Sequence, residues 1–207
     1  MATSYKDQII RRINNFDSEK VFIANDFFDI TGYETIKGTL NRLVHDGEIK
    51  RIMNGLYHKP QYSKLLQEYE APSIYQVAKA IARKYNWSIA PSGNTALNLL
   101  GLSTQVPAKW TFVTDGRYVD YQLGDSVIQF KRTSNKEISR LSPETAVIIQ
   151  AIKTIGNKNI TERQIQSLKS KLSLKEKQKL LEEGKTASQW IYKIIRDICE
   201  VESNAQV

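Results

Sequence analysis

The chain has one cysteine, Cys199, and two histidines, His45 and His58. A lone thiol closes no internal disulfide, and a zinc site or a Ser-His-Asp triad has almost no material to work with, so neither a metal nor a cofactor is expected. Cys199 sits beside Ile194, Ile195 and Ile198 on a C-terminal helical stretch, which reads as a buried, inert thiol in a reducing compartment. No run of 18 apolar residues exists, and the opening MATSYKDQIIRR has no apolar stretch of signal-peptide length. These absences predict a cytoplasmic protein with no membrane partner. Internal repeats and low-complexity tracts are also missing.

The first third of the chain lacks an excess of either charge. Residues 1–70 carry ten Lys/Arg against ten Asp/Glu, and residues 71–207 carry twenty against twelve, so the whole net charge of +8 follows residue 70. A basic excess suits a nucleic-acid or acidic partner, but here the placement of cations, not their number, must identify a reader. What the chain does have is 207 residues and an apolar fraction of 41%, enough for one large or two small domains with a core in each.

The most informative stretch is NDFFDITGYETIKGTLNRLVHDGEIKRIMNGLYHK, residues 25–59. Within residues 33–46, Ile36, Leu40, Leu43 and Val44 form one apolar stripe at helical spacing. The opposite face then carries Glu34, Thr35, Gly38, Asn41, Arg42 and His45, small and hydrogen-bonding side chains rather than a solvated Glu/Lys face. Gly38 costs about 1 kcal/mol of helix propensity relative to alanine, yet it bares the backbone where a groove floor could approach; the alternative is a merely tolerated glycine. Upstream, Asn25 or Asp26 can cap a short helix ending near Ile30, and Thr31-Gly32 supplies a tight turn. Downstream, Gly47 stops the helix, Ile49 and Ile52 alternate with Lys50, Arg51 and Asn54, and Asn54-Gly55 marks a hairpin before Leu56-Tyr57-His58. This is the order of a winged helix-turn-helix. It puts Arg42 near the major groove and Arg51, Asn54 and Lys59 near flanking phosphates, with Arg11, Arg12, Lys37 and Lys50 on the same side. A winged helix used for protein contact would share the core pattern without needing the polar outer face.

Around this motif, Ser4 caps a helix to about Asn15 with Ile9, Ile10 and Ile13 inward, and Val21-Phe22-Ile23 is a short strand that pairs with the wing. Phe27, Phe28 and Tyr57 are expected in the core. Residues 61–72 read as a polar connector, dividing a winged-helix domain at 1–60 from a C-terminal domain at 73–207. The second domain is predicted to hold helices at 73–85 and 95–100, strands at 87–90, 110–114, 118–123 and 126–132, and a helix opened by Ser142-Pro143-Glu144. Helices near 161–171, 173–183 and 186–200 follow. The fold class is α+β: a winged helix-turn-helix, then a mixed α/β domain with a small sheet and a helical C-terminal part. The charge run KSKLSLKEKQK, residues 169–179, reads either as a solvated helix face or as a docking surface for phosphates or an acidic partner.

One constellation bears on catalysis. The turn Ser92-Gly93-Asn94 before a helix, then a strand ending at Asp115, looks like a nucleotidyltransferase core, where such a turn holds triphosphate and paired acids hold Mg²⁺. Gly116 and Arg117 stand where the second acid belongs, and Asp120 comes five residues later. No catalytic residue is therefore assigned, and an Asp-Gly turn is the alternative.

In order along the chain, the winged-helix stretch, SGNTALNLLGL, KWTFVTDGR and LSPETAVIIQAI resemble the AbiEi family of antitoxins from bacterial abortive-infection, type IV toxin–antitoxin systems. The resemblance covers nearly the whole chain. It implies a phage-defence protein that represses its own operon through the winged helix and counteracts a cognate nucleotidyltransferase toxin through the C-terminal domain. Position by position it carries over Thr35, Lys37, Asn41, Arg42 and Arg51 as DNA contacts; it locates no toxin-neutralising residue. With the residues read from the face itself, the expected DNA-binding set is Thr35, Lys37, Gly38, Asn41, Arg42, Lys50, Arg51 and Asn54, and the expected partner is duplex operator DNA with inverted repeats. Competing readings are a winged-helix regulator without a toxin and a nucleotidyltransferase-like enzyme.

Overall fold

Ser4 accepts the N–H of Asp7 and starts the first helix, α1 (Tyr5–Asn14), which turns Ile9 and Ile13 inward. The structure, a computed structural model, describes residues 4–65, 67–133, 138 and 140–200. Its fold is α+β. The chain divides into two units, Met1–Asn86 and Trp87–Val207.

In the first unit α1 is followed by β1 (Val21–Phe22), a 3-10 turn (Ala24–Phe27), α2 (Tyr33–His45), β2 (Lys50–Met53) and β3 (Leu56–His58). The three strands form an antiparallel sheet ordered β1-β3-β2. Gly47 ends α2 in the left-handed region at φ +76°, letting the Glu48 N–H reach back 2.9 Å to the Leu43 carbonyl. Gly55 likewise takes φ +77° at the hairpin between β2 and β3. Ile9, Ile13, Phe22, Phe27, Ile36, Leu40, Leu43, Ile49 and Tyr57 make one core, in which Phe22 meets Phe27 edge-on at 5.9 Å.

Three expectations change here. The stretch expected to be a short helix ending near Ile30 is a single 3-10 turn, because the Asp26 carboxylate takes the Ile23 N–H at 2.9 Å and closes the chain tightly on itself. That tighter winding turns Phe27 inward and leaves Phe28 52% exposed, outside the core. On α2, Thr39 joins the buried stripe while Val44 lies at its edge.

The division of the chain also moves. Residues 61–72 contain a two-stranded ribbon, β4 (Tyr62–Ser63) with β5 (Glu68–Tyr69), its tyrosines edge-on at 5.4 Å. Helix α3 (Ile74–Tyr85), capped by Ser73, then packs on β1 and β3 and belongs to the first unit. Arg83 holds it there, donating 2.7 Å to the Val21 carbonyl and 3.2 Å to Asp26. The boundary lies at Asn86, which ends α3 with φ +55°.

The second unit holds β6 (Ile89–Pro91), α4 (Asn94–Leu99), β7 (Lys109–Thr114), β8 (Val119–Leu123) and β9 (Ser126–Arg132). Four helices complete it: α5 (Pro143–Ile155), α6 (Glu162–Lys171), α7 (Leu174–Gly184) and α8 (Gln189–Ile198). The sheet order is β6-β7-β9-β8, with β9 parallel to β7 and the β8–β9 hairpin folded so that β8 takes the edge. Phe112, Ile128 and Phe130 are buried on it. Ile148, Ile149, Ile152, Leu168, Leu180, Ile191, Ile194, Ile195 and Ile198 bind α5 to α8 in a second cluster. Ser142, Thr161 and Ser173 cap α5, α6 and α7. Among the described residues no helix is long and apolar enough to cross a membrane.

Candidate nucleic-acid interface

Burying Ile36, Thr39, Leu40 and Leu43 fixes the rotation of α2, so Glu34, Thr35, Lys37, Asn41, Arg42 and His45 stand exposed on the other side. Gly38 lies among them. The Arg42 side chain folds back along the helix, its Nε donating 3.3 Å to the Gly38 carbonyl. A Cβ placed on Gly38 would meet only the far end of Arg42, at 3.9 Å. The glycine is therefore not required by packing within the fold; it leaves bare backbone on an outward face.

The β2–β3 hairpin supplies the neighbouring residues. Arg51 Nη2 donates to Asn41 Oδ1 at 2.6 Å, and its guanidinium carbon lies 5.5 Å from the centre of the Tyr57 ring. Lys50 Nζ rests 5.1 Å from the Tyr69 ring centre on the ribbon, and Lys37 Nζ 5.8 Å from that of Tyr33. Asn54 sits at the hairpin turn, where its carbonyl accepts Lys84 Nζ at 2.7 Å. All eight expected contact residues thus lie on α2 or on the hairpin beside it.

Two other cations expected nearby are bonded to residues outside α2 and the hairpin. Arg12 is engaged by Asp29 through both guanidinium ends, at 2.5 and 2.7 Å, and donates 3.0 Å to the Asp26 carbonyl. The hydrogen bonds from Arg12 hold the Asp29 carboxyl below its ordinary pKa, and the same pairing raises that of Arg12. Lys59 Nζ donates 2.6 Å to Asn14 Oδ1 on α1. Lys84 also reaches the β2–β3 turn, from 30 residues away; on the sequence it reads as an ordinary cation in the last turn of a helix.

In the second unit, residues of the nucleotidyltransferase-like stretch make contacts within the fold. Asp115 Oδ1 accepts the Ser88 N–H at 2.8 Å, and Thr95 Oγ1 accepts the Thr111 N–H at 2.7 Å, joining α4 to β7. A Cβ on Gly116 would come within 2.3 Å of the Trp87 ring, so the Asp-Gly turn is fixed by close packing. Asp120 lies two strands from β7, accepting from Gln129 Nε2 at 3.1 and 3.2 Å. Among the described residues no group of three or more His, Cys, Asp or Glu could hold a metal ion.

The basic run at 169–179 is partly committed to structure. Lys169 pairs with Glu200 at 2.5 Å, lowering the pKa of that carboxyl, and Lys171 donates to the Leu100 carbonyl at the end of α4. Cys199 is part-buried, which raises its thiol pKa, and it donates to the Lys177 carbonyl at 3.5 Å.

A comparison with curated proteins finds no match. The sequence profile of DUF6088, a family of unknown function, matches residues 8–181, reaching from α1 into α7 and so through most of both units. The chain belongs to the DUF6088 family.

Proposed function

We propose that the chain is a winged-helix DNA-binding repressor of its own operon and the antitoxin to a nucleotidyltransferase toxin encoded beside it. The observation that carries the DNA half is the exposed face of α2. It presents Thr35, Gly38, Asn41 and Arg42, with Lys37 beside them and Lys50, Arg51 and Asn54 on the adjoining hairpin. Small side chains allow close approach, Asn and Arg can bond base edges, and the flanking cations suit phosphates. A face meant for water would carry mixed long charges; one meant for a protein partner would be apolar at its centre. The antitoxin half rests on the AbiEi-like order of motifs and belongs to the unit Trp87–Val207.

The experiment couples both halves. The chain's own promoter is placed before a reporter, and the full-length protein is expressed with and without the neighbouring nucleotidyltransferase. Reporter silencing that Arg42→Ala abolishes, together with restored growth in the presence of the toxin, is the expected result. Silencing without growth rescue would make the chain a regulator with no antitoxin role. Neither effect would refute the whole reading.

A further inference from the structure

Its place on the wing assigns Arg51 to a flanking phosphate. The geometry points to another task. Taking α2 as the DNA-reading helix proposed above, we infer that Arg51 is a positioning residue that fixes the side-chain amide of Asn41, so that the two act as one base-reading unit.

A guanidinium carries only donors, so the Asn41 atom 2.6 Å from Arg51 Nη2 must be the amide oxygen. An isolated asparagine presents either end of its amide by turning about χ2; here one orientation is selected, with the nitrogen on the side away from the wing. Arg51 is itself held. It faces Tyr57 across the β2–β3 ladder, and its guanidinium lies over that buried ring. Directly after Arg51 the register slips, Ile52 being the extra residue, and such a bulge bends the strand and re-aims its side chains. In this pose one Nη2 donor of Arg51 goes to the amide and the guanidinium rests on the ring, so Asn41 is held whether or not the remaining donors meet a phosphate. The exposed group left to the partner is then the Asn41 amide nitrogen, a donor that suits an acceptor on a base edge, such as a purine N7 in the major groove.

The test uses the full-length chain and a duplex that it selects from a randomised pool. Each base pair of that duplex is replaced in turn, and each purine by its 7-deaza form. Affinity is measured for the natural chain, Asn41→Ala, Arg51→Met, Arg51→Lys and the double variant Asn41→Ala/Arg51→Met. One base pair should be discriminated about tenfold by the natural chain, including against its 7-deaza form. Asn41→Ala and Arg51→Met should each reduce that preference to within about twofold, at that pair only. The double variant should be no worse than either single one, and Arg51→Lys should restore part of the preference. Arg51→Met that weakens every duplex by the same factor, flattens the salt dependence and adds to Asn41→Ala would make Arg51 an independent phosphate contact and overturn the inference. A natural chain that enriches no sequence from the pool would overturn the DNA reading itself, a different and separable failure.

Discussion

Arg83, in the last turn of α3, donates to the Val21 carbonyl at 2.7 Å and to Asp26 at 3.2 Å, so one side chain joins the helix after the ribbon to both β1 and the 3-10 turn. A fragment of residues 1–86 should therefore unfold as one cooperative unit. Residues 1–72, lacking α3, should melt earlier and more broadly. Arg83→Ala in residues 1–86 should cost about 1–3 kcal/mol, since the part-buried Asp26 would lose a charged hydrogen-bond donor. Equal stability of the two fragments in a urea titration would return the boundary to the 61–72 segment.

Gly38→Ala should separate stability from function. The added Cβ meets nothing but the mobile end of Arg42 at 3.9 Å, so the helix gains about 0.5–1 kcal/mol. The same methyl group stands on the face proposed to enter the groove, and operator affinity should fall. A variant that is more stable and binds DNA as well as the natural chain would mean that the helix face does not approach its partner at residue 38.

The Glu183 carboxylate on α7 caps the start of α5. It accepts from the Ser142 N–H at 2.9 Å and the Ser142 hydroxyl at 2.8 Å, with Lys179 4.0 Å away. Burial alone would raise its pKa, but the hydrogen bonds from Thr145 and Ser142, helped by Lys179, outweigh burial and lower it. A carboxyl with a depressed folded-state pKa stabilises fully above its unfolded value, about 4.3, and loses that contribution as the pH falls through the folded value. Glu183→Gln should thus be less stable by roughly 1–2 kcal/mol at pH 7, with the gap closing below about pH 4. A gap that stays constant down to pH 3 in thermal melts would contradict this assignment.

Gly116→Ala should destabilise the second unit by about 1–3 kcal/mol, because its Cβ would overlap the Trp87 ring at 2.3–2.5 Å. Asp115→Asn, which keeps an acceptor for the Ser88 N–H, should be much milder. If Asp115→Asn proved as damaging as Gly116→Ala, the turn would be held by the charge rather than by packing.

What could be read from the sequence was what local chemistry decides. Ser4, Ser73, Ser142, Thr161 and Ser173 announce helix starts through their own side chains, and Gly47 and Asn54-Gly55 announce turns through the conformations that they permit. The stripe of Ile36, Leu40 and Leu43 fixed which face of α2 is free. What stayed hidden depends on partners far along the chain. The Arg12–Asp29 and Arg83–Asp26 pairs, the Lys84 contact at the β2–β3 turn and the parallel pairing of β7 with β9 leave no local periodicity. The β4–β5 strands are two residues each, too short for alternation to show. The Arg51–Asn41 contact joins two residues that the sequence places on the proposed interface, but their pairing, beside the bulge and the Tyr57 ring, leaves no mark in the local pattern.

The most direct test of the central claim, that the outer face of α2 reads duplex sequence, is a competition measurement with the full-length chain. A duplex of its own promoter is titrated against a scrambled duplex of equal length and composition at about 0.15 M salt, near physiological ionic strength. The expected result is a preference of about a thousandfold or more for the promoter, falling to within about tenfold for Arg42→Ala while the scrambled duplex is bound nearly as before. Equal affinity for both duplexes, or a preference that Arg42→Ala leaves intact, would contradict it.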